Sequence, residues 1–126
     1  MLTEKDYCDY DTCVALEELG FVGESQYFYR TKESPLKKAL SNQILTIRTA
    51  RALDLTLGIH LWDAQKWLRK ERNLHIEVGY NPSLPWYYYH VCDSQEKIAE
   101  GEAFPSYEDA LQTAIYMAVE YLKEEK

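Results

Sequence analysis

Apolar residues recur along this chain with two different periods, and the change from one to the other marks its elements. Leu61, Ala64 and Leu68 fall on one face of a helix with Trp67 beside it. Lys66, Arg69, Lys70 and Arg72 take the solvent side and the last turn, where cations complement the helix dipole. Asn73 then fits a left-handed stop. From His75 the period becomes two: Ile76, Val78 and Tyr80 alternate with His75, Glu77 and Gly79, the mark of a half-buried strand. Asn81-Pro82-Ser83-Leu84-Pro85 is a turn. Trp86 to Cys92 is a strand without a polar face, because Trp86, Tyr88, His90 and Cys92 point one way and Tyr87, Tyr89 and Val91 the other. Asp93-Ser94-Gln95 turns the chain into a third strand, Lys97 to Phe104, which Pro105 ends. Ser106 with Asp109 three residues on opens the last helix as a capping box. Its stripe runs through Tyr107, Ala110, Leu111, Ala114, Ile115, Ala118, Val119 and Leu122.

The first half is patterned less sharply. Asp9 is the expected N-cap of a helix running to Leu19, with Cys13, Leu16 and Leu19 at three-residue steps and Gly20 as its stop. Phe21 and Val22 are expected to pack back against it. Gln26 to Arg30 is short and aromatic and reads as an edge strand. Ser34-Pro35 has the form of a helix start, with Leu36, Ala39 and Leu40 on one side. Ile44, Leu45 and Ile47 fit a strand, whereas Gln43 to Leu53 also fits a helix; periodicity does not arbitrate over so short a run.

This order predicts an α+β fold: a two-layer sandwich made of a helix, a three-stranded antiparallel sheet and a closing helix between Leu61 and Lys123, preceded by an N-terminal helix and a short strand. The length of 126 residues suits a single domain, 1–126, with residues 31–59 as a variable or irregular insertion.

Charge changes this picture in one respect. The net charge of −7 is unevenly spread: residues 1–30 carry seven acids against two bases, residues 93–126 nine against three, and residues 31–92 nine bases against five acids. Both ends are acidic and the middle is basic. The overall sign opposes indiscriminate adsorption to nucleic acid or anionic lipid. No apolar run reaches the roughly 20 residues needed to span a bilayer. The acidic start (Glu4, Asp6, Asp9, Asp11) is unlike a signal peptide's basic one, so a cytoplasmic protein is expected. Cys8, Cys13 and Cys92 fit reduced thiols; a zinc site on Cys8 and Cys13 lacks a second ligand pair. Neither metal nor cofactor is expected.

No nucleophile–base pair, carboxylate dyad or phosphate loop stands out, and an enzyme is not expected. His75 and His90 can approach across the hairpin but have no third convergent ligand. The aromatic strand offers the better surface: Trp86, Tyr87, Tyr88 and Tyr89 are the expected contacts for a protein partner. The alternative is a nucleic-acid-binding module using the basic 32–72 segment, with Lys66, Arg69, Lys70 and Arg72 joined by Lys37, Lys38, Arg48 and Arg51 and stacking supplied by Trp62.

The helix–meander–helix order is similar to that of double-stranded-RNA-binding domains, which imply phosphate contacts from basic residues at the start of the last helix. Here that start is Ser106-Tyr107-Glu108-Asp109, whose carboxylates repel phosphate, so the resemblance implies topology without RNA binding. In detail, Ala64-Gln65-Lys66-Trp67-Leu68-Arg69, Trp86-Tyr87-Tyr88-Tyr89, Ser106-Tyr107-Glu108-Asp109-Ala110 and the Leu-Gly-Phe at Leu19 to Phe21 resemble a group of small proteins common in bacteriophages, prophages and gut anaerobes. That resemblance covers most of the chain outside residues 31–56. It implies a phage or mobile-element protein and assigns no activity.

Overall fold

The computed structural model describes residues 4–40 and 43–124. The contacts group into two compact units, Met1–Asp63 and Ala64–Lys126. The boundary falls in the first turn of a helix.

In the first unit a short 3-10 turn at Glu4–Asp6 leads to α1, Tyr10–Glu18. Asp9 caps α1 as its sequence predicts, accepting the Thr12 N–H at 2.9 Å. The helix ends in a left-handed Gly20 (φ 100°), with Phe21 N–H on Leu16 O at 2.9 Å and Gly20 N–H on Glu17 O at 3.0 Å. This is a Schellman closure, and only glycine takes that φ without a steric penalty. Phe21 packs inward, but Val22, expected beside it, is 82% exposed.

The remaining short elements are β1 (Glu24–Ser25), β2 (Tyr27–Tyr29), β3 (Lys37–Lys38), β4 (Leu45–Thr46), α2 (Ile47–Ala52) and β5 (Thr56–Leu57). They make an antiparallel sheet ordered β3-β2-β5 and a separate β1-β4 pair. Within residues 31–59, Lys37–Lys38, Leu45–Thr46 and Thr56–Leu57 are thus held by strand pairing. The predicted edge strand, β2, is the central one. The helix expected after Ser34-Pro35 is replaced by a turn, with Ser34 N–H on Thr31 O, and by β3, whose Lys37 and Lys38 oppose Phe28 and Tyr27. The free edge of β2 needs hydrogen-bond partners, and that requirement overrides the local helix signal; Leu40 stays 83% exposed.

The ambiguity over Gln43 to Leu53 resolves at Thr46, which ends β4 in extended geometry and caps α2 by accepting the Thr49 N–H at 3.1 Å. The strand reading holds for Leu45–Thr46 and the helix reading for Ile47–Ala52, which includes the Ile47 expected in the strand. Cys8, Cys13, Leu16, Leu45, Leu57 and Ile59 form the centre of this unit's core. Cys13 Sγ accepts the Ile59 N–H at 3.4 Å, and the Tyr29 hydroxyl donates to Cys8 O at 2.8 Å.

The second unit follows its sequence closely. α3 spans Leu61–Arg72 and buries Ala64 and Leu68; Asn73 is left-handed (φ 56°). Strands β6 (His75–Asn81), β7 (Trp86–Cys92) and β8 (Lys97–Phe104) form an antiparallel meander ordered β6-β7-β8. The Gln65 side chain ties α3 to β6 by donating to Ile76 O at 3.1 Å. α4, Tyr107–Glu124, packs against all three strands. Ser106 Oγ accepts the Asp109 N–H at 3.1 Å, the predicted cap. Ala110, Leu111, Ala114, Ile115, Ala118 and Val119 are buried, and the alanines let the helix approach the sheet closely. The fold is the predicted α+β class. No helix among the described residues is long and apolar enough to cross a membrane.

Candidate functional site

Strand alternation sorts the meander into two faces. Tyr89 and Val91, buried at 4% and 0% exposure, are on the side closed by α4, and Tyr87 meets the α4 residue Tyr107 edge-on at 6.4 Å. Trp86, Tyr88, His90 and Cys92 alternate with them and stand on the other side, each half-buried. The four aromatics expected as partner contacts stand on two faces, as their alternation predicts. Trp86 and Tyr88 belong to the open face, whereas Tyr87 and Tyr89 serve the packing beneath α4.

The open face is built around β7. Glu77 on β6 opposes His90, and Glu100 on β8 opposes it from the other side. His90 Nδ1 lies 3.3 Å from Glu77 Oε1 and its Nε2 3.9 Å from Glu100 Oε1. Glu100 Oε1 also accepts from Lys97 Nζ at 2.8 Å. That hydrogen bond lowers the Glu100 pKa and raises that of Lys97, keeping both charged. His75, on the same face, contacts Asn73 Oδ1 rather than His90. Tyr88 stacks at a tilt on His90, ring centroids 5.3 Å apart, and covers Gly79 on β6, where any Cβ would run into its ring.

Tyr88, His90, Glu100, Gly101 and Glu102 line a polar cavity of about 380 Å³. A bulge shapes its wall. The β7–β8 register advances by an extra residue between Tyr89↔Gly101 and Tyr87↔Phe104, and Ala103 takes the left-handed conformation (φ 71°). Chemically the cavity offers carboxylates beside a tyrosine ring, a combination suited to a cation with a planar or alkyl body. Glu100 and Glu102 were not singled out from sequence, although their two-residue spacing in a strand beside the aromatic β7 is the signal that places them on one face.

The basic candidates lie elsewhere. Lys66, Arg69, Lys70 and Arg72 are all exposed on α3, and the Arg72 guanidinium stacks over Trp67 at 5.4 Å. Lys37 and Lys38 sit on β3, and Arg51 is engaged with Glu17 at 2.8 Å. Trp62 is 61% exposed and tilts on His60. No protein-family model matches the chain, and comparison with curated proteins and with solved structures returned no match.

Proposed function

We propose that this chain is a phage or mobile-element type protein that acts by binding another protein, without catalysing a reaction, and that the open face of β6–β8 is its contact surface. One observation carries the reading: Trp86 and Tyr88 stand half-exposed beside a cavity walled by Glu100 and Glu102, on the sheet face opposite α4. Tryptophan and tyrosine are among the side chains that most often anchor an interface hot spot. Glu77, Glu100 and Glu102 outnumber Lys97, so the complementary partner is a basic segment, with a Lys or Arg side chain entering the cavity along Tyr88.

The test is fluorescence-anisotropy titration against a panel of Lys/Arg-containing and acidic peptides, with wild type, Trp86→Ala, Tyr88→Ala and Glu100→Gln/Glu102→Gln. Salt-sensitive binding confined to basic peptides and weakened about tenfold or more by each variant is expected. Equal binding of both peptide classes, or binding indifferent to all three variants, contradicts the proposal.

A second reading has its own support. Lys66, Arg69 and Lys70 pair with no carboxylate among the described residues, leaving their charge available on α3 for a nucleic-acid backbone. Salt-dependent retention of labelled RNA or DNA, lost on charge reversal at those three positions, favours it. Retention unchanged by the reversal removes it.

A further inference from the structure

The first unit contains a groove that the protein-binding proposal does not use. β1 and β4 pair over two residues only, Glu24↔Thr46 and Ser25↔Leu45. Away from that pairing the chains diverge, one running back through Gly23, Val22 and Phe21 towards α1, the other entering α2. Between them lies an open, mainly apolar groove of about 670 Å³, with residues 21–24 on one wall and Thr46, Ile47, Arg48 and Arg51 on the other. That volume is in the range of small-molecule sites and small for a folded partner.

Three features of the lining point to the same class of ligand. Phe21 is 5% exposed and fixed, whereas Val22 next to it is an apolar side chain left 82% exposed. At Gly23 a Cβ would stand 2.7 Å from Phe21 Cε2, so a residue without a side chain leaves that ring in place on the groove wall. On the facing wall, Arg48 and Arg51 are three residues apart on α2 and project on the same side. Arg48 pairs with no carboxylate among the described residues. Arg51 uses its Nε–H on Glu17, one of the five donors a guanidinium carries. Glu24, at the paired end, is the one acidic side chain among the described residues of the lining and disfavours a multiply charged anion.

We propose that this groove binds a small amphipathic monocarboxylate, its apolar body lying on Phe21, Val22 and Ile47 and its carboxylate held by Arg48 and Arg51. The apolar wall supplies contact area, and the arginines select the anionic headgroup by charge-assisted hydrogen bonds. In a chain of net charge −7, these local cations, rather than the overall field, define the preference.

Calorimetric titration of the full chain with decanoate, below its micellar concentration, tests this, with decan-1-ol as the uncharged control. Saturable binding of decanoate is expected, on the order of tenfold tighter than decan-1-ol. Arg48→Glu and Val22→Asp, both exposed positions, should each weaken decanoate binding on the order of tenfold while leaving the circular dichroism spectrum unchanged. Equal affinity for acid and alcohol, or unchanged affinity in both variants, overturns the proposal. So does adsorption to anionic-lipid vesicles without any binding of free decanoate, which would mark the groove as a membrane contact.

Discussion

The ring of Tyr89 lies against Gly101 on the neighbouring strand, with its Cε2 only 2.5 Å from where a Cβ on that glycine would stand. Gly79 bears the same relation to Tyr88 on the other face of the sheet. The two pairs differ in freedom: Tyr89 is 4% exposed beneath α4, whereas Tyr88 is half-buried on the open face and able to swing away. Gly101→Ala should therefore destabilise the protein by about 2 kcal/mol, as overpacking does, and Gly79→Ala by less than about 1 kcal/mol. Urea denaturation of the two variants measures the difference, and equal losses would show that Tyr89 is not held in place.

High pH is expected to weaken the first unit through Tyr29. Burial raises its pKa above the ordinary 10.0, helped by the nearby cysteines, Glu4 and Asp9, and its hydroxyl donates to Cys8 O at 2.8 Å. The unfolded chain then gives up this proton at lower pH than the folded one. The stabilisation is complete below pH 10 and declines as pH rises beyond it. Burial pushes Tyr7 and Tyr89 in the same direction. Tyr29→Phe should cost about 1 kcal/mol at pH 7 by removing the hydrogen bond, and it should flatten the alkaline limb of stability against pH. Denaturation midpoints at pH 7, 9, 10 and 11 check both effects.

The cap of α4 gives a cleaner prediction because its contact is exposed. Ser106→Ala removes the acceptor of the Asp109 N–H and should cost about 1 kcal/mol, whereas Ser106→Asp should retain most of the stability. Thermal melts of the two variants decide it, and equal melting temperatures would count against the cap.

At Ala103 a side chain occupies the left-handed region where glycine has no penalty (φ 71°). Ala103→Gly should stabilise the protein by about 0.5 kcal/mol, the relief of strain exceeding the added entropy of the unfolded chain. The same substitution at Ala99, which lies opposite Val91 and has no positive φ, should destabilise it. A lower denaturation midpoint for Ala103→Gly would show that the bulge carries no strain.

The legible parts of the candidate site were those that depend on strand alternation. Reading Trp86 and Tyr88 on one side of β7 and Tyr87 and Tyr89 on the other follows from the two-residue period alone. Which side α4 closes does not, because both sides are aromatic and bury equally well. Likewise the cavity needed Glu100 and Glu102 to be brought beside Tyr88 by a register containing a bulge, which no single strand encodes.

By itself the sequence determined the elements whose stabilising interactions are local. α1 with its Asp9 cap and Gly20 stop, α3 with Asn73, the three strands of the meander and α4 with Ser106 all stand where periodicity and capping put them. Only the tertiary structure decided the pairing of Lys37–Lys38 and Thr56–Leu57, the central position of β2, the split at Thr46, the exposure of Val22 and the division into two compact units. Strands two or three residues long carry too few side chains to show a period. Their hydrogen bonds run to partners distant in the chain, so β2 takes its place only once β3 and β5 are there to satisfy both of its edges.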